Sequence, residues 1–289
     1  MEVINFDELD EARAVVDLEN LLDKAVKGKL STSDHQFSHA DLVYLTKLLQ
    51  EMKVRKEQGE DGCKWFKPGT LFGIENCPKH YEFFKQGKEY TWRLFLSGNR
   101  TGKTQSGSVE TSLHLTGLYP DWWPGKVFDE PTNGLACGKT GQTVRDTVQL
   151  ALLGPPGKFG TGDIPKSKIV RVYMRPGVPN AVDTVVVKHV SGGESTLNFK
   201  SYDQRIDSFV GTARNFIWQD EEPPAEVHNE NHVRLMTTNG IGYTTLTPIS
   251  GITPFIYNYC KDADYTEGSR RLVISEALTN EMEKSNDEE

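Results

Sequence analysis

The sequence predicts an α/β domain, a mainly parallel central sheet flanked by helices, behind a helical preface. Three observations predict it. Short apolar runs with the composition of buried strands alternate with stretches of helical periodicity. One of these runs, RLFLS, enters a glycine-bearing turn that opens a helix-compatible stretch. Another, NFIWQ, ends in Asp-Glu-Glu-Pro-Pro.

Each element follows in order. Over residues 1–58, Leu18, Leu21, Leu22, Ala25 and Val26 recur at helical spacing. Ser31-Thr32-Ser33-Asp34 interrupts them, and Ser38 is placed to cap a second helix through Leu42, Leu45 and Leu49. Residues 59–90 read as loop-rich. A buried strand is expected over RLFLS and a helix over TQSGSVETSLHL, with turns at 118–134, where LYPDWWPG places Trp122 and Trp123 as packing anchors. A strand near Gly134–Gly138 and a helix near Val144–Leu153 follow, then the loop GPPGKFGTGDIP. Strands are expected at Ile169–Met174, Thr184–His189 and Thr196–Lys200, the last two joined by a hairpin turn at SGGES. NFIWQ, at 215–219, is the next strand, and a helix near Ala225–Met236 leads through Asn239-Gly240 to a strand at Gly242–Leu246. The chain therefore divides into a helical segment 1–58, an α/β domain 59–257 and a linker or tail 258–289.

Composition limits what this domain can be. A net charge of −8 over 289 residues excludes a globally basic DNA-coating protein, though not a local basic patch. No run of 18 apolar residues occurs, so no transmembrane helix and no membrane partner are expected. The acidic start MEVINFDELDEA does not read as a signal peptide, and a cytosolic location is expected. The four cysteines form no CxxC pair, which points to reduced thiols and no zinc site. His189, His228 and His232 read as structural.

The chemistry begins at Ser97-Gly98-Asn99-Arg100-Thr101-Gly102-Lys103-Thr104, which fits G-x-x-x-x-G-K-[ST] except that Ser97 replaces the leading glycine. Gly98 and Gly102 let the backbone curl so that successive N–H groups point at phosphate oxygens. Lys103 is the group to reach the β- and γ-phosphates, and the Thr104 hydroxyl is a magnesium ligand. The expected fold class is thus a P-loop NTPase. Gly138-Lys139-Thr140 lacks the second glycine and reads as a turn. The acidic partner is Asp220-Glu221, at the carboxyl end of an apolar strand. Asp220 is expected to hold magnesium, and Glu221 to polarise the attacking water. The 117 residues separating Lys103 from Asp220 leave room for extra strands between the motifs. That spacing suits the additional-strand class of ATPases (ASCE-type), in which a glutamate follows the magnesium aspartate.

RLFLSGNRTGKT at 93–104, LYPDWWPGK at 118–126, RDTVQLALLGPPG at 145–157, FVGTARNFIWQDEEPP at 209–224 and TTLTPISG at 244–251 together resemble the large terminase subunit of tailed bacteriophages, in its N-terminal packaging-ATPase domain. The likeness runs from about Trp65 to Tyr257. It implies that Gly98 to Thr104 bind the triphosphate of ATP, with Arg100 an extra positive group in the loop beside Lys103. It implies that Asp220 and Glu221 handle Mg2+ and water, and that Thr245 and Thr247 couple γ-phosphate loss to motion. CPKHYEFF, at 77–84, lies where the family has its adenine-contacting segment, so His80 or Tyr81 is a candidate for stacking on the base, packing being the other role open to either. The resemblance further implies a homo-oligomeric ring on a procapsid in the bacterial host cytoplasm, working with a portal protein and a small terminase subunit on double-stranded DNA. A neighbouring subunit would supply an arginine; Arg145, Arg205, Arg214 and Arg234 are the candidates, and Arg145, at the start of a helix after a strand, is favoured. Large terminases also carry a C-terminal nuclease domain. Only 32 residues follow Tyr257, so no nuclease activity is expected from this chain. A helicase-like DNA translocase, or a non-hydrolysing nucleotide-binding remnant, are the alternatives.

Overall fold

The computed structural model describes residues 65–263 and 271–274. The expected helical segment 1–58 lies outside them. Among the described residues the fold is an eight-stranded sheet in the order β3-β4-β5-β2-β6-β7-β1-β8. In chain order the elements are α1 (Pro78–Lys85), β1 (Trp92–Leu96), α2 (Lys103–Thr116), β2 (Asn133–Gly138), a helix α3, β3 (Ile169–Met174), β4 (Val182–Lys188), β5 (Glu194–Ser201), β6 (Phe216–Asp220), α4 (Ala225–Met236), β7 (Ile241–Leu246), α5 (Pro254–Ala263) and β8 (Arg271–Ile274). Six neighbouring strands, β5-β2-β6-β7-β1-β8, run parallel, and β4 pairs antiparallel with both β5 and β3.

The central strands are buried along their whole length, which is why they lack an alternation of apolar and polar residues; the polar groups within them, such as Arg93, Gln219 and Thr244, are buried and hydrogen-bonded. On one face, Phe83, Phe95, Val109, Leu113, Phe199, Trp218 and Tyr243 share a core. On the other, Trp92, Leu94, Leu135, Ile217, Val227, Leu246 and Ile256 share a second. Trp123 is buried, with its indole N–H on the Lys126 carbonyl, and Trp122 packs beside it. No helix among the described residues is long and apolar enough to cross a membrane.

Three elements depart from the expectation. Residues 78–85, expected within a loop-rich stretch, form α1, with Pro78 supplying the fixed φ of a first helical turn and Phe83 and Phe84 buried beneath. The helix expected near Val144–Leu153 is α3, made of an α-turn at Gly141–Thr143, a π-helical segment at Val144–Gln149 and a last α-turn at Leu150–Leu153. Thr140 caps it reciprocally with Thr143, so the Gly-Lys-Thr turn there is a helix start. The sheet also does not stop at Tyr257, the expected domain boundary. Helix α5 runs across it, and the apolar run Arg271–Ile274 pairs with β1.

The core beneath α2 is polar at one point. Arg93 on β1 donates to Glu110 Oε1 at 2.6 Å and to the Phe83 carbonyl at 2.6 Å, with its guanidinium 4.6 Å from the Phe83 ring centroid. His114 lies 3.2 Å from the same Glu110 oxygen and 2.9 Å from the Tyr119 hydroxyl. Arg93, Glu110 and His114 are fully buried. Burial pushes the Glu110 carboxyl up, but Arg93 and His114 outweigh it and hold the group below the ordinary carboxylate value. Such a pair is costly to break from one side, because the surviving charge is stranded. Glu110→Ala is expected to lose about 3–5 kcal/mol in urea unfolding. The double variant Arg93→Met/Glu110→Leu should recover most of that loss.

Candidate active site

The loop from Ser97 to Gly102 connects the carboxyl end of β1 to the amino end of α2. Two of its residues are left-handed, Arg100 at φ 62° and Gly102 at φ 86°, and this curls the loop over the helix start. The loop is tied to itself. The Ser97 hydroxyl donates to Thr101 Oγ1 at 2.8 Å, Thr101 donates to the Gly98 carbonyl at 2.9 Å, and Lys103 Nζ donates to the same carbonyl at 2.6 Å. Ser97 therefore does more than stand in for a glycine. Gly98, Asn99, Arg100 and Thr101 are exposed, so the loop's outer face is open to a ligand. Burial lowers the Lys103 pKa, opposed by the charges of Glu221 and Asp220.

The acidic end faces this loop across one strand. Strand β7 lies between β1 and β6 and is parallel to both, with Thr245 opposite Asp220 and Phe95 in register. Both motifs thus emerge at the same edge of the sheet, one strand apart. Thr104 Oγ1 donates to Asp220 Oδ1 at 3.2 Å, and Thr245 Oγ1 donates to that oxygen at 2.7 Å. Burial pushes Asp220 up to about 6, although the two hydroxyls and Lys103 pull the other way. Glu221 is left-handed at φ 66°, a strained value for a side chain with Cβ, and its N–H goes to the Thr245 carbonyl at 2.8 Å. The turn sends its carboxylate toward the loop after β7, where the Thr247 N–H donates to Oε2 at 3.3 Å. Burial raises Glu221, against Thr247, Lys103 and Lys139.

Other sequence-derived candidates are placed differently. His80 lies under the loop with its ring between Phe66 and Phe95, centroids 5.1 and 5.0 Å away. Its Nε2–H donates to the Thr101 carbonyl at 2.9 Å. Burial lowers its pKa, so the neutral ring acts as a brace for the loop, the packing role that the sequence left open beside base stacking. Tyr81 is exposed. Of the four arginines, Arg214 is buried against Asn133, Asn198 and the Gly134 carbonyl, which removes it as a group for a neighbour's site. Arg234 pairs with Glu230 at 2.8 Å, and its carbonyl accepts from the Arg214 N–H, at the sheet edge away from the loop. Arg145 and Arg205 follow strands β2 and β5, on the loop's own edge. Arg145 holds Asp146 through two bonds of 2.7 and 3.0 Å and the Pro179 carbonyl at 3.0 Å. Arg205 pairs with Asp207 in the open.

Several supports of the site were not singled out from sequence. Asp163 is buried and accepts from Gln105 and Ser108, fastening the first turns of α2. The Tyr202 hydroxyl lies 3.3 Å from the carbonyls of both Asp220 and Glu221. Lys139 acts on Glu221 from the turn read as structural. Nothing in a single sequence marks these, since each acts through fold-created proximity.

A loop curled over a helix start, its lysine and hydroxyl, and an Asp-Glu pair one strand away form a candidate nucleotide site. The family model described as terminase large subunit, T4likevirus-type, N-terminal, matches residues 94–287, which take in all of these groups except the His80 brace. The chain belongs to the terminase large subunit family. It is 32% identical over 227 residues to the terminase large subunit of Salmonella phage P22, a match that spans 72% of this chain and 46% of that one. The chain thus spans about half the length of the curated relative it matches. Among solved structures it is similar to the large terminase of a thermophilic bacteriophage in complex with ADP, at a TM-score of 0.44 and 14% identity, over 75% of this chain and 44% of that one.

The buried carboxylate of this terminase site yields a stability test. Folding raises Asp220 from 3.8 to about 6, so the folded chain holds this proton more tightly than the unfolded one. The stability linked to it is complete below the unfolded value and is lost as pH rises through about 6. Asp220→Asn has no proton to lose. In the nucleotide-free protein it should be more stable than wild type by roughly 3 kcal/mol at pH 8, falling to about half at pH 5. Thermal melts at the two pH values check this, and a gain equal at both would refute it.

Proposed function

We propose that this chain is the ATP-hydrolysing motor part of a DNA-packaging terminase, driving double-stranded DNA into a procapsid. The observation that carries the reading is the strained Glu221, which directly follows the carboxylate held by Thr104 and Thr245 and whose own carboxylate is held by the Thr247 N–H. A carboxylate spent on strain and burial at this position suits the orientation of a water molecule opposite a γ-phosphate.

The proposed roles follow from the geometry. The N–H groups of Gly98 to Thr104 and the Lys103 ammonium bind the triphosphate, Lys103 exchanging the Gly98 carbonyl for phosphate oxygens. Arg100 adds charge from the exposed side of the loop. The Thr104 hydroxyl and the Asp220 carboxylate are hard oxygen donors side by side, a set that fits Mg2+ completed by phosphate oxygens and water. When bound, Mg2+ would supply charge neutralisation of the phosphates. Glu221 orients the attacking water and takes its proton. Thr245 and Thr247 touch Asp220 and Glu221 through a hydroxyl and a backbone N–H, so a change at either carboxylate reaches β7 and the loop beyond it. Arg145 acts on a neighbouring subunit's nucleotide in a homo-oligomeric ring, released from Asp146 when it does so. The ring would sit on the portal protein, receive DNA through the small terminase subunit, and work in the host cytoplasm. DNA would be gripped through its phosphates without base readout, so binding should weaken steeply with salt.

Magnesium-dependent ATP turnover, with and without double-stranded DNA, tests the reading. Lys103→Ala should lose nucleotide binding. Glu221→Gln should bind ATP and lose turnover by about 10²–10⁴-fold. A wild-type chain that neither binds nor hydrolyses ATP at high protein concentration sinks the motor. The arginine is tested by mixing. Arg145→Ala and Glu221→Gln should each be inactive alone and recover part of the activity together, because mixed neighbours rebuild complete sites. No recovery, with assembly intact, would remove Arg145 from that role.

A further inference from the structure

We propose that Trp218 is a positioning residue for the metal side of the nucleotide site, setting the direction of the Thr245 hydroxyl and through it the Asp220 carboxylate. The inference rests on the reading of Asp220 as part of an Mg2+–nucleotide site.

The indole N–H of Trp218 donates to Thr245 Oγ1 at 2.8 Å, and Thr245 Oγ1 donates to Asp220 Oδ1 at 2.7 Å. An indole nitrogen can only donate, and a hydroxyl has one hydrogen. With the indole occupying a lone pair of the Thr245 oxygen, that hydroxyl's single proton is committed to Asp220. Thr104 donates to the same carboxylate oxygen, so Oδ2 takes neither hydroxyl. The arrangement fixes the rotation of the carboxylate and leaves one oxygen for a cation. Trp218 and Thr245 are fully buried, where no water competes for these bonds.

The indole is itself held by the helix that carries the phosphate loop. A Cβ on Gly107 of α2 would fall 2.3 Å from Trp218 Cε2 and 2.4 Å from its Nε1. Only glycine lets the helix backbone lie against that edge of the ring. The relay therefore runs from the body of α2, through Trp218 and Thr245, to Asp220, alongside the direct contact from Thr104. The opposite sheet face has a parallel arrangement, in which Trp92 donates to Thr244 and Thr244 to Gln219, each at 3.1 Å. There the chain runs to the Gln219 amide oxygen and on to His228, 3.0 Å away, so only the Trp218 branch bears on the carboxylate.

The test is the affinity of the full chain for fluorescently labelled ADP, measured in Mg2+ and in EDTA. Trp218→Phe keeps an aromatic ring on Gly107 and removes the donor. It should weaken binding in Mg2+ roughly five- to twentyfold and change metal-free binding by less than about twofold. Thr245→Val should match it, Thr245→Ser should retain wild-type affinity, and Trp218→Phe/Thr245→Val should be no worse than Thr245→Val alone. Equal losses with and without Mg2+, losses that multiply in the double variant, or no loss in Trp218→Phe would overturn the proposal. If Trp218→Phe fails to fold, the wild-type indole N–H resonances decide. One of them, assigned to Trp218 by its displacement in Thr245→Val, should shift when Mg2+ is added to the ADP complex, and its failure to move counts against the relay. A wild-type chain that binds no ADP in either buffer fails earlier, and takes the motor reading with it.

Discussion

Asp220 sits at the mouth of the sheet with little access to water, and the groups around it are arranged by the cost of keeping a carboxylate there. Two hydroxyls reach one of its oxygens, Lys103 supplies charge from the facing loop, and burial still wins, lifting the group to about 6. A site left in that condition favours a partner that adds positive charge. The topology makes the arrangement possible. With β7 between β1 and β6, the loop and the acidic end are one strand apart, close enough for Thr104 to touch Asp220.

Helix α2 is pinned at several levels, and that pinning is what allows one loop to be held in an unusual conformation. Near its start, Asp163 takes Gln105 and Ser108; midway, Gly107 rests on Trp218; deeper, Glu110 and His114 join Arg93 of β1. The buried ion pair contributes little as a net attraction once its desolvation is counted. Its value lies in geometry. A helix that slid by one turn would separate Glu110 from Arg93 and strand both charges, so the register of α2 against β1 is fixed. The loop between them inherits that precision, with His80 bracing it from beneath.

Much of the fold was legible because strands buried on both faces are short apolar runs punctuated by glycine and proline, and RLFLS and NFIWQ are of that kind, while the run at 242–246 carries the β-branched and aromatic residues of a strand after Asn239-Gly240. The phosphate loop and Asp220-Glu221 were legible because their chemistry is local in sequence. Helix α1 was not, since its polar residues and leading proline hide a two-phenylalanine footprint. The arginines show the limit most clearly. Arg145 and Arg214 are the same residue type near strand ends, yet one lies partly exposed on the loop's edge and the other is sealed against Asn133 and Asn198. Burial of a charged side chain depends on which strands become neighbours, and sequence spacing does not contain that. The bond of His80 to the loop and the role of Trp218 were hidden for the same reason, as their partners lie 21 and 27 residues away across loops and strands.

The π-helical segment of α3 places Arg145 on a helix that carries one residue more than an α-helix would need to span the same turns. In a regular helix each residue advances the azimuth by about 100°. The heading of Arg145 is therefore stored as a count, in the phase between the capped start at Thr140 and the packed end at Leu152 and Leu153. Deleting an exposed residue of that stretch, such as Thr147, would let the helix relax to ordinary pitch and change the phase of Arg145 against the packed end by about a quarter turn. Insertions and deletions there would act as a rotary adjustment, re-aiming a charged group without a change in its identity.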